Sequence, residues 1–360
     1  MLVHLQKKLC RFVTLPLCHY LYQMILITGA TGLVGSHLAL HLLESGEKIR
    51  AIYRNEAGIE KIKALFELYD KAYFFSQIVW LPADIIDIPS LEAVFQDVDS
   101  VYHCAAAISF DPKDEEKLRK TNIEGTANIV NFCLAKNIKK LCYVSSIATL
   151  GDLKEHEQIV TEGTEWNPEK PHSDYAISKY GAEMEIWRGF QEGLEVVVVN
   201  PGVILGPGAD KKGWNNGSCE IFSRVAKGLS FYTKGSTGFV SVSDVVKIMA
   251  LLMKSDVNGE RFILVSENVT FEGITKKIAA FLKVNPPSIY AKPWMTGLGW
   301  RFDWILSNIF GRKRTLSKAM AKALHSTDFI SSEKIKERLD FEFEKINPVV
   351  EKISKFYPGK

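Results

Sequence analysis

The chain is short of the features that mark specialised protein classes. Its six cysteines, Cys10, Cys18, Cys104, Cys133, Cys142 and Cys219, form no C-x-x-C pair and no metal-ligand spacing. No metal centre is expected from them. Cys104 and Cys142 lie inside apolar runs, which predicts buried free thiols and a reducing, cytoplasmic compartment. An excess of one charge is also missing: 45 Lys and Arg stand against 42 Asp and Glu, a net +3 spread along the chain. That argues against a nucleic-acid partner. There is no internal repeat and no low-complexity tract. The stretch Trp294 to Phe310 is rich in Trp, Leu, Ile and Phe, but Arg301, Asp303 and its length argue against a membrane span. It is expected to pack the core of a small lobe; lining an apolar substrate pocket or touching a lipid surface are the alternatives.

What remains is ordinary globular material. With 360 residues, 46% of them hydrophobic, and mean hydropathy near zero, the chain can build a sizeable core, as one large α/β unit with an appended lobe or as two domains. Residues 1–23 hold Lys7, Lys8 and Arg11, then an apolar-leaning stretch broken by Thr14, Pro16 and His19. No small-residue cleavage site precedes Met24, so they read as a leader or disordered extension, with Met24 as the functional start.

The chain is organised around residues 24 to 35. Met24 to Thr28 is a short apolar run, long enough for a strand buried on both faces. Gly29, Gly32 and Gly35 follow, spaced G-x-x-G-x-x-G, and from Leu33 to Ser45 the apolar residues fall at helical intervals. Strand, glycine turn and helix in that order offer exposed N–H groups and close backbone approach to a diphosphate. Lys48 to Tyr53 predicts a second strand ending in Arg54, where an acid would hold a ribose 2′-OH and an arginine instead suits a 2′-phosphate. Lys61 adds a second positive charge. Beyond a third strand, Ile78 to Leu81, Asp84 can accept from an adenine amino group, whereas Asp87 before Pro89 looks like a cap. The fourth strand, Ser100 to Cys104, runs into small residues, Ala105 and Ala106, that permit close cofactor approach.

Lys113 to Lys136 predicts one long helix in which Asn122 and Gly125, both poor helix formers, mark either a local distortion or a close contact with Asn122 facing solvent. A fifth strand, Lys140 to Ser145, places Ser146 at its carboxyl end, where open α/β sheets bind ligands. Gly151 to His172 is a polar loop suited to a substrate-entry rim. In the helix Asp174 to Gln191, Tyr175 and Lys179 share one face. A further strand, Leu194 to Val199, is broken by Asn200, Pro201 and Gly202, where Gly202 permits an unusual turn suited to a segment under a nicotinamide ring. Past residue 208 the alternation decays into helix candidates over 217–228, 244–253, 270–283, 315–324, 331–339 and 347–356, with extended segments over 239–244 and 261–265.

Taken together, these residues resemble the extended short-chain dehydrogenase/reductase family, also called the NAD-dependent epimerase/dehydratase family. The motifs that carry the resemblance are Thr28 to Gly35, Asp84 with Asp87, His103 to Ala106, Tyr143 to Ser146, Tyr175 with Lys179, Asn200 to Gly202 and Phe239 to Asp244. The resemblance implies a doubly wound parallel (Rossmann) α/β sheet over 24–208 with return segments at about 239–265. A smaller, mostly helical substrate lobe would fill 209–238 and 266–360. It implies Ser146, Tyr175 and Lys179 as a catalytic triad with Asn122 as a fourth member, Ser146 being preferred to Ser145 by its spacing to Gly151. The implied cofactor contacts are Gly29, Thr31, Gly32, Leu33, Val34, Gly35, Arg54, Asp84, Ile85, Ala105, Ala106, Tyr175, Lys179, Pro201, Gly202 and Val203. Arg54 and Lys61 look like the dihydroflavonol-reductase and 3β-hydroxysteroid-dehydrogenase branch, which prefers NADP to NAD, and a homodimer through helices like 113–136 and 174–191 is an expected partner.

In this chemistry a tyrosine, ordinarily titrating near pH 10, is brought down by Lys179 and an oxidised nicotinamide and exchanges a proton with the substrate oxygen, which Ser146 also binds. Three readings follow, in order: an oxidoreductase acting on a carbonyl or secondary alcohol, a nucleotide-sugar epimerase or dehydratase with tightly bound NAD, and a non-catalytic nucleotide sensor. For the second, Arg224, Lys227 and Lys234 are the candidate diphosphate ligands.

Overall fold

The computed structural model describes residues 24–209, 213–215, 217–310, 314 and 316–359, so the expected leader over residues 1–23, with Cys10 and Cys18, lies outside the described residues. The chain runs β1 (Met24–Thr28), α1 (Leu33–Glu44), β2 (Lys48–Tyr53), α2 (Glu56–Leu68), β3 (Val79–Pro82), α3 (Ile88–Val94) and β4 (Ser100–His103). The predicted long helix is interrupted: α4 (Glu115–Leu118) passes through a π turn at Arg119–Glu124 into α5 (Gly125–Ala135). Then come β5 (Lys140–Val144), β6 (Ile159–Val160), α6 (Asp174–Gln191), β7 (Glu195–Pro201), β8 (Val203–Leu205) and α7 (Glu220–Ala226). After these lie β9 (Phe231–Tyr232), β10 (Ser236–Ser241), α8 (Val242–Lys254), β11 (Glu260–Leu264), β12 (Glu267–Thr270), α9 (Phe271–Leu282) and β13 (Ile289–Tyr290). The chain closes with α10 (Pro293–Phe310), α11 (Lys318–Ala323), β14 (Phe329–Ile330), α12 (Glu333–Leu339) and α13 (Ile346–Phe356).

Seven strands form one parallel sheet in the order β11-β7-β5-β4-β1-β2-β3. The order reverses at β1, so the carboxyl ends of β1 and β4 flank a crevice of the kind that binds ligands in open α/β sheets. Both faces are covered, which is why β1 reads as a continuous apolar run. Ile25 and Ile27 join one core with Leu38, Leu42, Phe66, Val245 and Met249, while Leu26 joins the other with Leu91, Val94, Ile129, Val130 and Ile186. Helices α1, α2 and α8 thus lie on one face and α3, α5 and α6 on the opposite one. A separate cluster of Phe222, Phe239, Ile274, Ile278, Val349 and Val350 binds α7, β10, α9 and α13.

Three expectations need correction. β7 does not stop at Val199 but continues through Asn200 and Pro201, because Pro201 pairs Leu264 and Gly202 N–H reaches Leu264 O at 3.0 Å. Gly202 makes no left-handed turn; its lack of a side chain lets the chain pass Gly238 O, which a Cβ would approach to 2.3 Å. The polar segment 151–172 carries one short strand, β6, which pairs β14, and its Trp166 stacks between His172 and Tyr180. The stretch 294–310 is helical but does not pack a core; its large apolar side chains are mostly exposed.

One buried histidine ties the centre of the sheet. His103 Nδ1 lies 2.6 Å from Thr28 Oγ1 and its Nε2 lies 3.0 Å from Thr126 Oγ1, linking β4 to β1 and α5. Burial, with the charge of Lys179 adding to it, lowers its pKa from 6.5 to about 3. The unfolded chain therefore takes up a proton near pH 6.5 that the folded chain refuses, and stability is lost as pH falls from 6.5 toward 3. At pH 5 this amounts to about 2 kcal/mol. Urea midpoints measured from pH 7 to pH 5 should fall more gently in His103→Gln than in the wild type, although the variant starts less stable.

Candidate active site

The glycine turn is built by backbone contact. Gly29 has φ +67° and its missing Cβ would lie 2.5 Å from Ala105 N, so the turn rests directly on the loop after β4. A Cβ on Gly35 would sit 2.4 Å from Gly29 O, which holds the first turn of α1 against the end of β1. Gly32 is exposed at the N-cap of α1, with no side-chain cap and no acid in the first turn. A helix start left without a capping side chain is suited to a phosphate. Thr31 packs beside Gly58 at the start of α2, while Leu33 and Val34 are half-buried. Leu33 also touches the cluster around Phe222 and Phe239.

The adjacent strand ends carry the candidate adenosine contacts. Arg54 is exposed just past β2. Asp84 is half-buried past β3 and accepts from Ile86 N at 3.2 Å, and Asp87 takes the N-cap position of α3. The Ile85 side chain belongs to the core, pressed on Gly125, and its backbone O accepts from Asn128 Nδ2 at 2.9 Å. Ala105 is half-buried and Ala106 exposed. Together the uncapped helix start, the exposed arginine and the small residues fit a dinucleotide with a 2′-phosphate.

Ser146 and Tyr175 adjoin at the crevice, and Lys179 follows one turn along α6. Ser146 opens a short 3-10 turn after β5, its Oγ accepting from Ala148 N at 3.1 Å, and lies near enough to Tyr175 to act on its titration. Burial raises the Tyr175 pKa above the ordinary phenol value, and the nearby Ser146 hydroxyl opposes the rise. Lys179 Nζ donates to Tyr143 Oη at 2.6 Å and to Val144 O at 2.8 Å. Burial lowers the Lys179 pKa to about 7, with the Glu183 charge pulling it back up. Phe110 leans over the site, its ring centroid 5.7 Å from that of Tyr175.

Asn122 lies inside the π turn and is buried, not solvent-facing. Its carboxamide accepts from Ala107 N at 2.7 Å, donates to Ala107 O at 3.0 Å and donates to Ser178 Oγ at 2.9 Å. Ser178 in turn donates to Tyr175 O at 2.8 Å. The π turn thus lets one side chain fasten the loop after β4 to the first turn of α6, under Tyr175. At the far side Pro201 is buried at the end of β7 and Val203 is half-buried in β8.

The residue that sequence reasoning missed is Glu183. It is fully buried, accepting from Ser145 Oγ at 2.6 Å, Thr149 Oγ1 at 2.8 Å and Asn200 Nδ2 at 3.0 Å, and pairs Arg261 at 3.2 Å. One carboxylate therefore gathers β5, the turn after it, β7 and β11 onto α6. It also separates Ser145, committed to this network, from Ser146, which faces Tyr175. The available signal was spacing: Tyr175, Lys179 and Glu183 recur every four residues along one helix face. A cavity of about 810 Å³ lined by Thr149, Glu162, Trp166, Tyr180 and Arg261 opens behind this network and includes none of Ser146, Tyr175 and Lys179. Arg224, Lys227 and Lys234 are engaged locally, with Glu220, Asn215 and the Tyr290 ring.

Residues 25–264 match the model of the NAD-dependent epimerase/dehydratase family. A putative dihydroflavonol 4-reductase of Synechocystis is 30% identical over 284 residues, covering 78% of this chain and 77% of the relative. Among solved structures, a UDP-glucose 4-epimerase from Thermotoga maritima with UDP-glucose superposes with TM-score 0.72 at 20% identity, covering 93% of this chain and 98% of the other. A yeast methylglyoxal/isovaleraldehyde reductase complexed with NADPH does so with TM-score 0.70 at 21% identity and the same coverages.

Glu183→Ala should destabilise the fold by about 3–5 kcal/mol in urea unfolding, because it leaves Arg261 without its buried partner. Glu183→Gln keeps an acceptor oxygen but removes the charge, so NMR titration of Lys179 should show its pKa falling below about 7.

Proposed function

Because the chain belongs to the NAD-dependent epimerase/dehydratase family, we propose that it is an NADP-preferring reductase acting on a carbonyl, or in reverse a secondary alcohol, of a fairly apolar small molecule. The observation that carries this reading is the placement of Ser146 beside Tyr175 at the carboxyl ends of the sheet, with Lys179 buried one turn along. When bound, the nicotinamide supplies or accepts the hydride. The Gly29–Gly35 turn, with Thr31, Gly32, Leu33 and Val34, holds the diphosphate at the start of α1. Arg54, with Lys61, holds the 2′-phosphate, and Asp84 with the Ile85 backbone faces the adenine. Ala105, Ala106, Pro201, Gly202 and Val203 flank the nicotinamide end. The segments 209–238 and 266–360 form the substrate lobe.

Tyr175 is the proton donor. A phenol held above its ordinary pKa stays protonated at neutral pH, ready to give a proton to a substrate carbonyl oxygen. Ser146 donates a hydrogen bond to that same oxygen as negative charge grows on it. Lys179, held by Tyr143 and Val144, fixes the far side of the tyrosine's helix turn, while Asn122 and Ser178 fix its backbone. The nucleotide-sugar reading has less support, since the three basic side chains it needs are each taken by a local partner.

Mixed with a panel of aldehydes, ketones, keto-steroids and flavonoid-like compounds, the protein should consume NADPH faster than NADH, followed by absorbance. No consumption, with nucleotide already bound to the purified protein, would instead favour the epimerase reading. Tyr175→Phe should cut the rate by about 10²–10⁴ while NADPH affinity is kept. The wild-type rate should hold through neutral pH and decline only on the alkaline side of 10, as Tyr175 loses its proton. Arg54→Asp should weaken NADPH binding by about 10–100-fold and spare NADH, measured by cofactor fluorescence.

A further inference from the structure

Helix α10 is built inside out. Trp294, Leu298, Phe302, Ile305 and Ile309 repeat at intervals of three and four, so they form one stripe along the helix. They are 64%, 46%, 62%, 42% and 67% exposed. The residues this helix buries are Thr296, Asp303 and Ser307. The polar inner side is fully engaged: Thr296 Oγ1 lies 2.9 Å from His325 Nε2, Asp303 Oδ2 accepts from Leu316 N at 3.0 Å, and Ser307 Oγ donates to Trp304 O at 2.9 Å. A helix on a water-facing surface has the opposite pattern, and large exposed apolar patches mark contact surfaces.

We infer that this stripe docks the protein on the surface of a bilayer containing anionic phospholipids. Among the described residues no helix is long and apolar enough to cross a membrane, so α10 lies along the interface and does not penetrate it fully. Charge selects the partner. Between Ala291 and Ala323 every charged residue except Asp303 is basic, and Asp303 is the one turned inward. Lys318 and Lys322, one turn apart on α11, are exposed beside α10 and form no ion pair among the described residues. Exposed Trp294 and Trp304 are of the residue type that settles at the headgroup level, and the lysines suit the phosphates there. A second copy of the chain fits less well, because a two-fold contact would press this basic rim against itself.

The test is flotation of the full chain with vesicles of phosphatidylcholine alone and of phosphatidylcholine mixed with phosphatidylglycerol. The protein should float with the anionic vesicles and much less with the neutral ones. Phe302→Glu with Ile305→Glu should lower the bound fraction by about tenfold or more. Lys318→Glu with Lys322→Glu should lower it by about fivefold or more and remove its salt sensitivity. Thermal midpoint and NADPH binding report that each variant is folded. Should the glutamates unfold the helix, Trp294→Ser with Ile309→Ser, at the most open positions of the stripe, gives the same reading. Failure of the wild type to float with either vesicle overturns the inference. So does a wild-type dimer that the stripe variants split into monomers, which would assign the face to a second copy.

Discussion

Burying a carboxylate in a protein interior is unfavourable unless its charge and lone pairs are all used. Glu183 meets that condition by drawing together Ser145, Thr149, Asn200 and Arg261. Those four come from the end of β5, the turn after it, the end of β7 and the start of β11. The position of Ser146 relative to Tyr175 depends on this arrangement, because Ser146 stands in the turn that Glu183 clamps and Tyr175 stands two turns before Glu183 on the same helix. Lys179 lies between them and feels the same carboxylate. The crevice geometry is thus set from behind by a group that faces away from it.

A second constraint fixes the other half of the crevice. Gly29 and Ala105 are in backbone contact, and Thr28, His103 and Thr126 form a buried hydrogen-bonded line. Any side chain at Gly29 or Gly35 would force β1, α1 and the loop after β4 apart. The opening between these elements is therefore defined by missing atoms at two glycines and by one neutral histidine. Asn122 completes the frame from the π turn, since a regular helix there would not present its carboxamide to Ala107 and Ser178 together.

Helix α10 obeys a different rule from the sheet. Its inner side is held by polar contacts and its outer side is apolar, so the solvent it is adapted to differs from that of the remaining surface. It is also tied back to the crevice: Arg314, just past its end, donates through its backbone N–H to Asp111 at 3.1 Å, next to Phe110 and hence to Tyr175.

The sequence alone determined the sheet and its glycine turn. Runs such as Ile25–Thr28 and Val196–Val199 can be buried on both faces only inside a covered parallel sheet, and the G-x-x-G-x-x-G spacing has meaning only between a strand and a helix. That Tyr175 and Lys179 share one face of α6 was legible for the same reason, since helical periodicity is a local property. Glu183 was not singled out because its partners lie from 17 to 78 residues away, and contacts across such distances leave no periodic trace. Nor was the extension of β7 through Pro201, which depends on a partner strand found only at Glu260–Leu264. Composition showed that 294–310 is apolar, but which side of that helix meets protein is decided by where Leu316 and His325 return to it. Only the tertiary structure, by placing polar groups beneath it, turned an expected core helix outward.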